Sequence, residues 1–140
     1  MATRSRIGME QEDGSVKSIY CHFDGYPSHN GRILNESFKD HDKVKSLIDL
    51  GDISFLRREV EPTGPHSFDS PQKGVTVAYH RDRGESHNLK KDKSVSAFFA
   101  LQDESYIYMF TQEGEWLVRS SGSDNDPMTF ENYSNLIGLQ

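Results

Sequence analysis

The stretch Ser105–Ser120, SYIYMFTQEGEWLVRS, alternates on both sides of Gln112-Glu113-Gly114. Its reading decides the fold class. Tyr106, Tyr108 and Phe110 form one row, and Ile107 and Met109 form the other. Trp116 and Val118 share a side of the return arm, and Leu117 faces the opposite way. A period of two on both arms of a glycine-containing turn specifies an antiparallel hairpin. Facing aromatic rings stabilise such a pair.

Outward from this hairpin, the C-terminal side turns helical. Ser120–Pro127 reads as linker, within a loop over 120–128. Thr129–Leu139 follows, with Phe130, Tyr133, Leu136 and Ile137 at helical spacing and Thr129 or Asp126 near its start. On the N-terminal side, Val95–Gln102 fits either a short helix or an edge strand. Gly84–Ser94 is polar and reads as loop. Val75–Asp82, VTVAYHRD, reads as a strand with Val75, Val77 and Tyr79 on one face. Glu61–Gly74 holds three prolines and two glycines and reads as a long loop. Ile53–Val60 is open between a strand and a helical turn. Asp40 or Asp42 caps a helix carrying Val44, Leu47 and Ile48, which ends at Gly51. A shorter helix is expected over Arg32–Phe38. Arg4–Met9 and Val16–Phe23 flank a turn at Asp13-Gly14 and predict a second hairpin, with Ile19, Cys21 and Phe23 inward and Tyr20 and His22 on the exposed side.

The sum is one α+β domain spanning residues 1–140. It has a small curved antiparallel sheet or partly open barrel, and two or three short helices. Long crossover helices are not visible, which favours antiparallel order. With 34% hydrophobic and 11% aromatic residues, the core leans on its rings. The single cysteine, Cys21, excludes an intrachain disulfide and a four-cysteine zinc site. No stretch has the length and apolarity of a transmembrane helix, and nothing at the N-terminus reads as a signal peptide. A cytoplasmic protein without membrane association is the expectation.

The net charge of −6 is carried by the C-terminal third. Residues 102–140 contain Asp103, Glu104, Glu113, Glu115, Asp124, Asp126 and Glu131 against one base, Arg119. Such a field repels nucleic acid and argues against non-specific binding to it. It makes Glu113, Glu115 and Asp124 candidates for a protein interface.

Two segments concentrate chemistry. The first holds Tyr20, Cys21, His22, Asp24, Tyr26 and His29. His22 and Asp24 lie two apart and share a side; Cys21 faces away from His22, which separates the thiol from that base. The second is Tyr79-His80-Arg81-Asp82-Arg83-Gly84-Glu85. As a strand it puts His80 and Asp82 on one face and Arg81 and Arg83 on the other. Two guanidinium forks on one side suit a phosphate or carboxylate; an Arg–Asp and Arg–Glu network holding a turn is the competing structural account. Candidate catalytic residues are therefore His22, Asp24, His80 and Asp82, and candidate ligand-binding residues are Tyr20, His22, Tyr26, Arg81 and Arg83. The six histidines show no helix-borne zinc spacing, and neither a metal nor a cofactor is expected.

The runs TRSRIGMEQEDGSVKSIYCHFDGYPSHNG (3–31) and GVTVAYHRDRGE (74–85) resemble a family of small proteins from tailed bacteriophages with no established activity. The resemblance extends over Thr3–Gly31, Leu47–Phe55 and Ser67–Glu85. It implies an SH3-type β-barrel and a life inside an infected bacterium. In that setting the leading expectation is a non-enzymatic accessory protein that binds a host protein or complex, as in counter-defence. A binder or sponge for a small nucleotide is one alternative, and a metal-dependent hydrolase or nuclease another.

Overall fold

The computed structural model describes residues 2–123 and 125–139. Strands β1 (Ser5–Glu10) and β2 (Val16–Cys21) form the first hairpin, in register from Ser5↔Cys21 to Glu10↔Val16. A π-helical turn at Pro27–Gly31 leads into α1 (Arg32–Ser37) and α2 (His41–Asp49). Asp40 caps α2 by accepting from the Lys43 amide. Then come β3 (Ile53–Phe55), β4 (Val77–Ala78), α3 (Tyr79–Arg83), β5 (Lys90–Asp92) and α4 (Val95–Phe99). The second hairpin is β6 (Tyr106–Phe110) and β7 (Trp116–Ser120), followed by β8 (Met128–Thr129) and α5 (Phe130–Ile137). Thr129 caps α5, its hydroxyl accepting from the Asn132 amide.

The strands join in one open sheet in the order β4-β3-β2-β1-β6-β7-β8, with β5 also paired to β2. The sheet is mixed, which corrects the antiparallel expectation. β1 pairs with β6 in parallel, and β2 pairs with β3 in parallel. The chain leaves β2, crosses the inner face through α1 and α2, and returns to β6 only after 84 intervening residues. That crossover is broken into short helices and loops, so it carries no regular strand–helix rhythm.

The two rows of the second hairpin bury against different cores. Tyr108, Phe110, Trp116 and Val118 pack on the inner face with Ile7, Ile19, Leu34, Phe38, Leu47 and Ile53. Ile107 and Met109 pack on the outer face with Val16, Phe98 and Phe99. Two buried polar tips tie the inner layer together. The Tyr108 hydroxyl donates to the Gly25 carbonyl at 2.7 Å, and the Trp116 indole donates to the Phe38 carbonyl at 2.7 Å. Both rings thereby bury their area without stranding a polar atom.

Several local expectations change. The strand over Val75–Asp82 stops at Ala78, and Tyr79–Arg83 is helical. The Asp82 carboxylate reaches back to accept from the Ala78 amide at 2.8 Å, and Gly84 ends the helix at φ 72°. A β-side chain at that φ is disfavoured, so glycine is the natural stop. Lys90–Asp92, read as loop, is a strand because its backbone pairs with Val16–Ser18. Val95–Phe99 resolves as helix, capped by Ser94. Among the described residues, five short α-helices replace the two or three expected. Residues 61–74 hold no helix or strand.

Gly8, at the centre of β1, has a reason invisible in its neighbours. A Cβ there would lie 2.7 Å from the Phe98 ring and 2.8 Å from Val16 Cγ1. Gly8→Ala should therefore lose about 2 kcal/mol of stability through overpacking. Urea unfolding followed by Trp116 fluorescence checks this, and Phe98→Leu in the same chain should recover part of the loss.

Candidate functional site

The sheet end where β2 finishes gathers most of the polar side chains on the outer face. α4 covers that face only over Gly8, Val16, Ile107 and Met109. Beyond it lie Arg6, Ser18 and Tyr20, cross-strand neighbours by the pairs Arg6↔Tyr20 and Gly8↔Ser18. Arg6 donates from Nε to Glu104 Oε1 at 2.9 Å and from Nη1 to Ser18 Oγ at 3.0 Å. Both partners of this ion pair are nearly buried, at 12% and 7% side-chain exposure. A buried pair of this kind holds its shape because losing either partner strands the other charge.

Above the pair, Tyr20 and His22 interact, with the phenol oxygen 2.7 Å from Nδ1. The His22 ring meets Phe23 edge-on at 4.4 Å, and Phe23 stacks on Phe55 at 4.5 Å. Asp52 Oδ1 accepts from the Tyr20 amide at 2.9 Å. Burial pushes the Asp52 carboxyl above its usual range, against that amide and the Arg6 charge. Burial also raises the Tyr20 phenol, and the Arg4 charge opposes it.

The two chemistry-bearing segments meet across β3. Ile53 pairs with Cys21 on one side and Ala78 on the other, and the Tyr79 amide donates to the Asp52 carbonyl. Their side chains nevertheless part company. His22 engages Tyr20, and Asp24 accepts from the Tyr26 hydroxyl at 3.3 Å. The Asp24 charge raises the Tyr26 phenol. Asp24 takes φ 58° to turn the chain, a conformation that Asp tolerates better than most residues. His29 bonds to Asn30 at 2.9 Å. Cys21 is fully buried, and burial pushes its thiol up to about 11, so it is held as the neutral thiol rather than the reactive thiolate.

Asp82 points away from His22 into a second network. Its Oδ2 accepts from the Ala78 amide and lies 3.1 Å from His66 Nε2; its Oδ1 accepts from Arg81 Nε at 2.8 Å. Gln72 donates its amide to His66 Nδ1 at 2.9 Å, so Nε2 carries the ring proton and donates to Asp82. Burial would raise Asp82, but these bonds outweigh it and the carboxyl is lowered. Arg81 also donates to the carbonyls of Val60 and Thr76, each at 2.7 Å. Arg83 lies over the Phe68 ring at 4.1 Å and pairs with Glu85. His80 Nδ1 lies 2.7 Å from the Glu85 carbonyl.

The expected concave site with two inward arginines is therefore replaced by a network that holds the 61–74 loop onto α3. The physical cause is the helix. Successive side chains turn by about 100° there rather than the 180° of a strand, so Arg81 and Arg83 no longer share one face. No group of three His, Cys, Asp or Glu side chains suited to a metal ion occurs among the described residues. His22, Asp24, His80 and Asp82 do not form one site.

Glu113 and Glu115 sit exposed at the tip of β6–β7; Asp124 lies outside the described residues. Because β1 runs parallel to β6, this tip lies beside the β1–β2 tip. Gln112 donates its amide to Glu10 Oε1 at 3.1 Å and its side chain to the Gln11 carbonyl at 2.7 Å. His41 at the start of α2 donates to the Gln112 carbonyl at 3.0 Å. A cleft of about 540 Å³ opens here, lined among others by Glu10, Glu12, Asp13, Lys17, His41 and Lys91. The Ser15 hydroxyl and amide hold the Asp13 carboxyl below its usual range.

Sequence reasoning missed Arg6, Asp52, His66 and Glu104. Arg6 had a usable signal, since alternation along β1 puts Arg4 and Arg6 on one face. Asp52, His66 and Glu104 enter from loops whose paths no local pattern records. Comparison of the chain with protein-family models, with curated proteins and with solved structures finds no match. The fold and site define a mixed α+β protein with an open sheet, covered unequally on its two faces. No helix among the described residues is long and apolar enough to cross a membrane.

Two carboxylates should respond oppositely. Asp82→Asn should cost about 3 kcal/mol, as expected for breaking a buried ionic network. The lowered carboxyl stabilises the fold above its unfolded value of about 3.9 and loses that effect as pH falls through the folded value, so the deficit should shrink in acid. Asp52→Asn should raise the melting temperature at neutral pH, because the charged form is the one burial opposes. That gain should vanish below about pH 4, where both states hold the proton. Thermal melts of the three proteins across pH check both signs.

Proposed function

We propose that the protein is a non-enzymatic accessory protein of a tailed phage that binds a basic surface of a host protein in the bacterial cytoplasm. The observation that carries this reading is the joining of the two hairpin tips. The tip that carries Glu12 and Asp13 is tied to the tip that carries Glu113 and Glu115 by the Gln112 bonds to Glu10 and Gln11, and His41 holds the Gln112 carbonyl. Exposed Asp40 and Asp42 at the start of α2 extend the same acidic end. Charges held on rigid turns lose little freedom when a partner docks, and a one-sign surface accelerates encounter with an oppositely charged one. Lys17 and Lys91 within the cleft would set orientation by repelling a misplaced cation.

The hydrolase alternative finds less support, because its four candidate residues are engaged with Tyr20, Tyr26, His66, Arg81 and the Glu85 carbonyl. The SH3-type barrel implied by the phage resemblance belongs to this same proposal.

Glu12→Lys, Glu113→Lys and Glu115→Lys combined should leave the melting temperature close to that of the unaltered chain. The triple change should reduce recovery of the host partner about tenfold at low salt, three exposed charges at up to ~1 kcal/mol each. Quantitative mass spectrometry of affinity-purified host lysate measures this. Equal recovery of the same proteins by both forms would remove the electrostatic basis of the reading.

A further inference from the structure

We propose that the open half of the outer sheet face binds the phosphate group of a small ligand through Arg4 and His22, with Tyr20 positioning the imidazole. These residues lie at the opposite end of the β1–β2 hairpin from the acidic tips. Arg4 immediately precedes β1 and His22 immediately follows β2, next to the terminal pair Ser5↔Cys21. With the pair Arg6↔Tyr20, they complete a cross-strand quartet of two arginines, a phenol and an imidazole.

Arg4 is exposed, and among the described residues its guanidinium has no hydrogen bond or ion pair. Its charge nevertheless reaches the Tyr20 phenol. The Tyr20 hydroxyl lies 2.7 Å from His22 Nδ1; in the tautomer where the hydroxyl donates, the ring proton sits on Nε2, a nitrogen with no partner among the described residues. A planar guanidinium fork beside an imidazole N–H offers directed donors to tetrahedral oxygen. Beneath them Arg6 already neutralises Glu104, so that carboxylate does not cancel Arg4. Asp52 is a further acid at this end of the sheet. Its Oδ1 is turned to the Tyr20 amide. The tilted Tyr20 and His22 rings, 5.9 Å apart, offer flat surface for the rest of such a ligand.

This site takes over the ligand role that sequence reasoning gave to Arg81 and Arg83. It is independent of the hairpin tips, so each reading can fail alone. NMR titration of the full chain with inorganic phosphate, adenosine 5′-monophosphate and adenosine tests it. Phosphate and the monophosphate should shift the His22 ring and Tyr20 signals saturably, with a dissociation constant on the order of 1 mM; adenosine should not. Arg4→Gln should weaken binding at least tenfold. It should fold, since the Arg4 carbonyl that accepts from the Ser105 amide is untouched. Tyr20→Phe should also weaken binding by freeing the imidazole, and Glu113→Lys should leave it unchanged. The absence of saturable shifts, equal shifts with adenosine, or undiminished binding by Arg4→Gln would overturn the proposal.

Discussion

β1 is bonded along both of its edges, to β2 in antiparallel register over six residue pairs and to β6 in parallel register over five. Both hairpins are built on this strand, and every other feature takes its place from that. Because the two pairings differ in direction, the turn after β1 and the turn after β6 fall at the same end of the sheet. The opposite end collects the start of β1, the exit of β2 and the Glu104–Ser105 segment. Acidic tips and the arginine-bearing end are thus separated by the length of one strand.

The central strand also dictates how the two faces are covered. Ile7 faces the large inner core, where α1, α2 and α5 supply Leu34, Phe38, Leu47 and Tyr133. Gly8 faces outward, and its missing side chain admits Phe98 of α4. α4 is one and a half turns long and cannot reach β2's far end. The uncovered part must therefore be polar, and Arg6, Ser18 and Glu104 satisfy one another there. An open polar surface is a by-product of a short cover, and its rigidity comes from the ion pair beneath it.

The loop over residues 61–74 shows a different use of charge. It has no regular hydrogen-bond ladder, so its backbone must find partners elsewhere. The Gln72 amide finds one in His66, Arg81 binds the Val60 and Thr76 carbonyls on either side of the loop, and His66 and Arg81 meet at Asp82. Asp82, which looks catalytic in the sequence, here anchors that loop to α3. Titratable side chains serve both purposes, and only their surroundings separate the two.

Much of the local structure was legible in the sequence. Alternation around Gln112-Glu113-Gly114 determined the second hairpin and both of its rows, because period two has one structural solution. Spacing and capping residues determined α2 and α5, and the alternation of Val16–Phe23 put Ile19 and Cys21 inward. The tertiary structure alone decided the parallel pairing of β1 with β6, since that contact joins residues about a hundred apart and leaves no local periodicity. It decided that Tyr79–Arg83 coils, with His66 from the 61–74 loop meeting the Asp82 carboxylate that accepts from the Ala78 amide. It also decided that the turn bearing Glu12 is tied to the turn bearing Glu113 and that Arg4 flanks His22 across the β1–β2 pair, because charge is read along a chain but acts across a sheet.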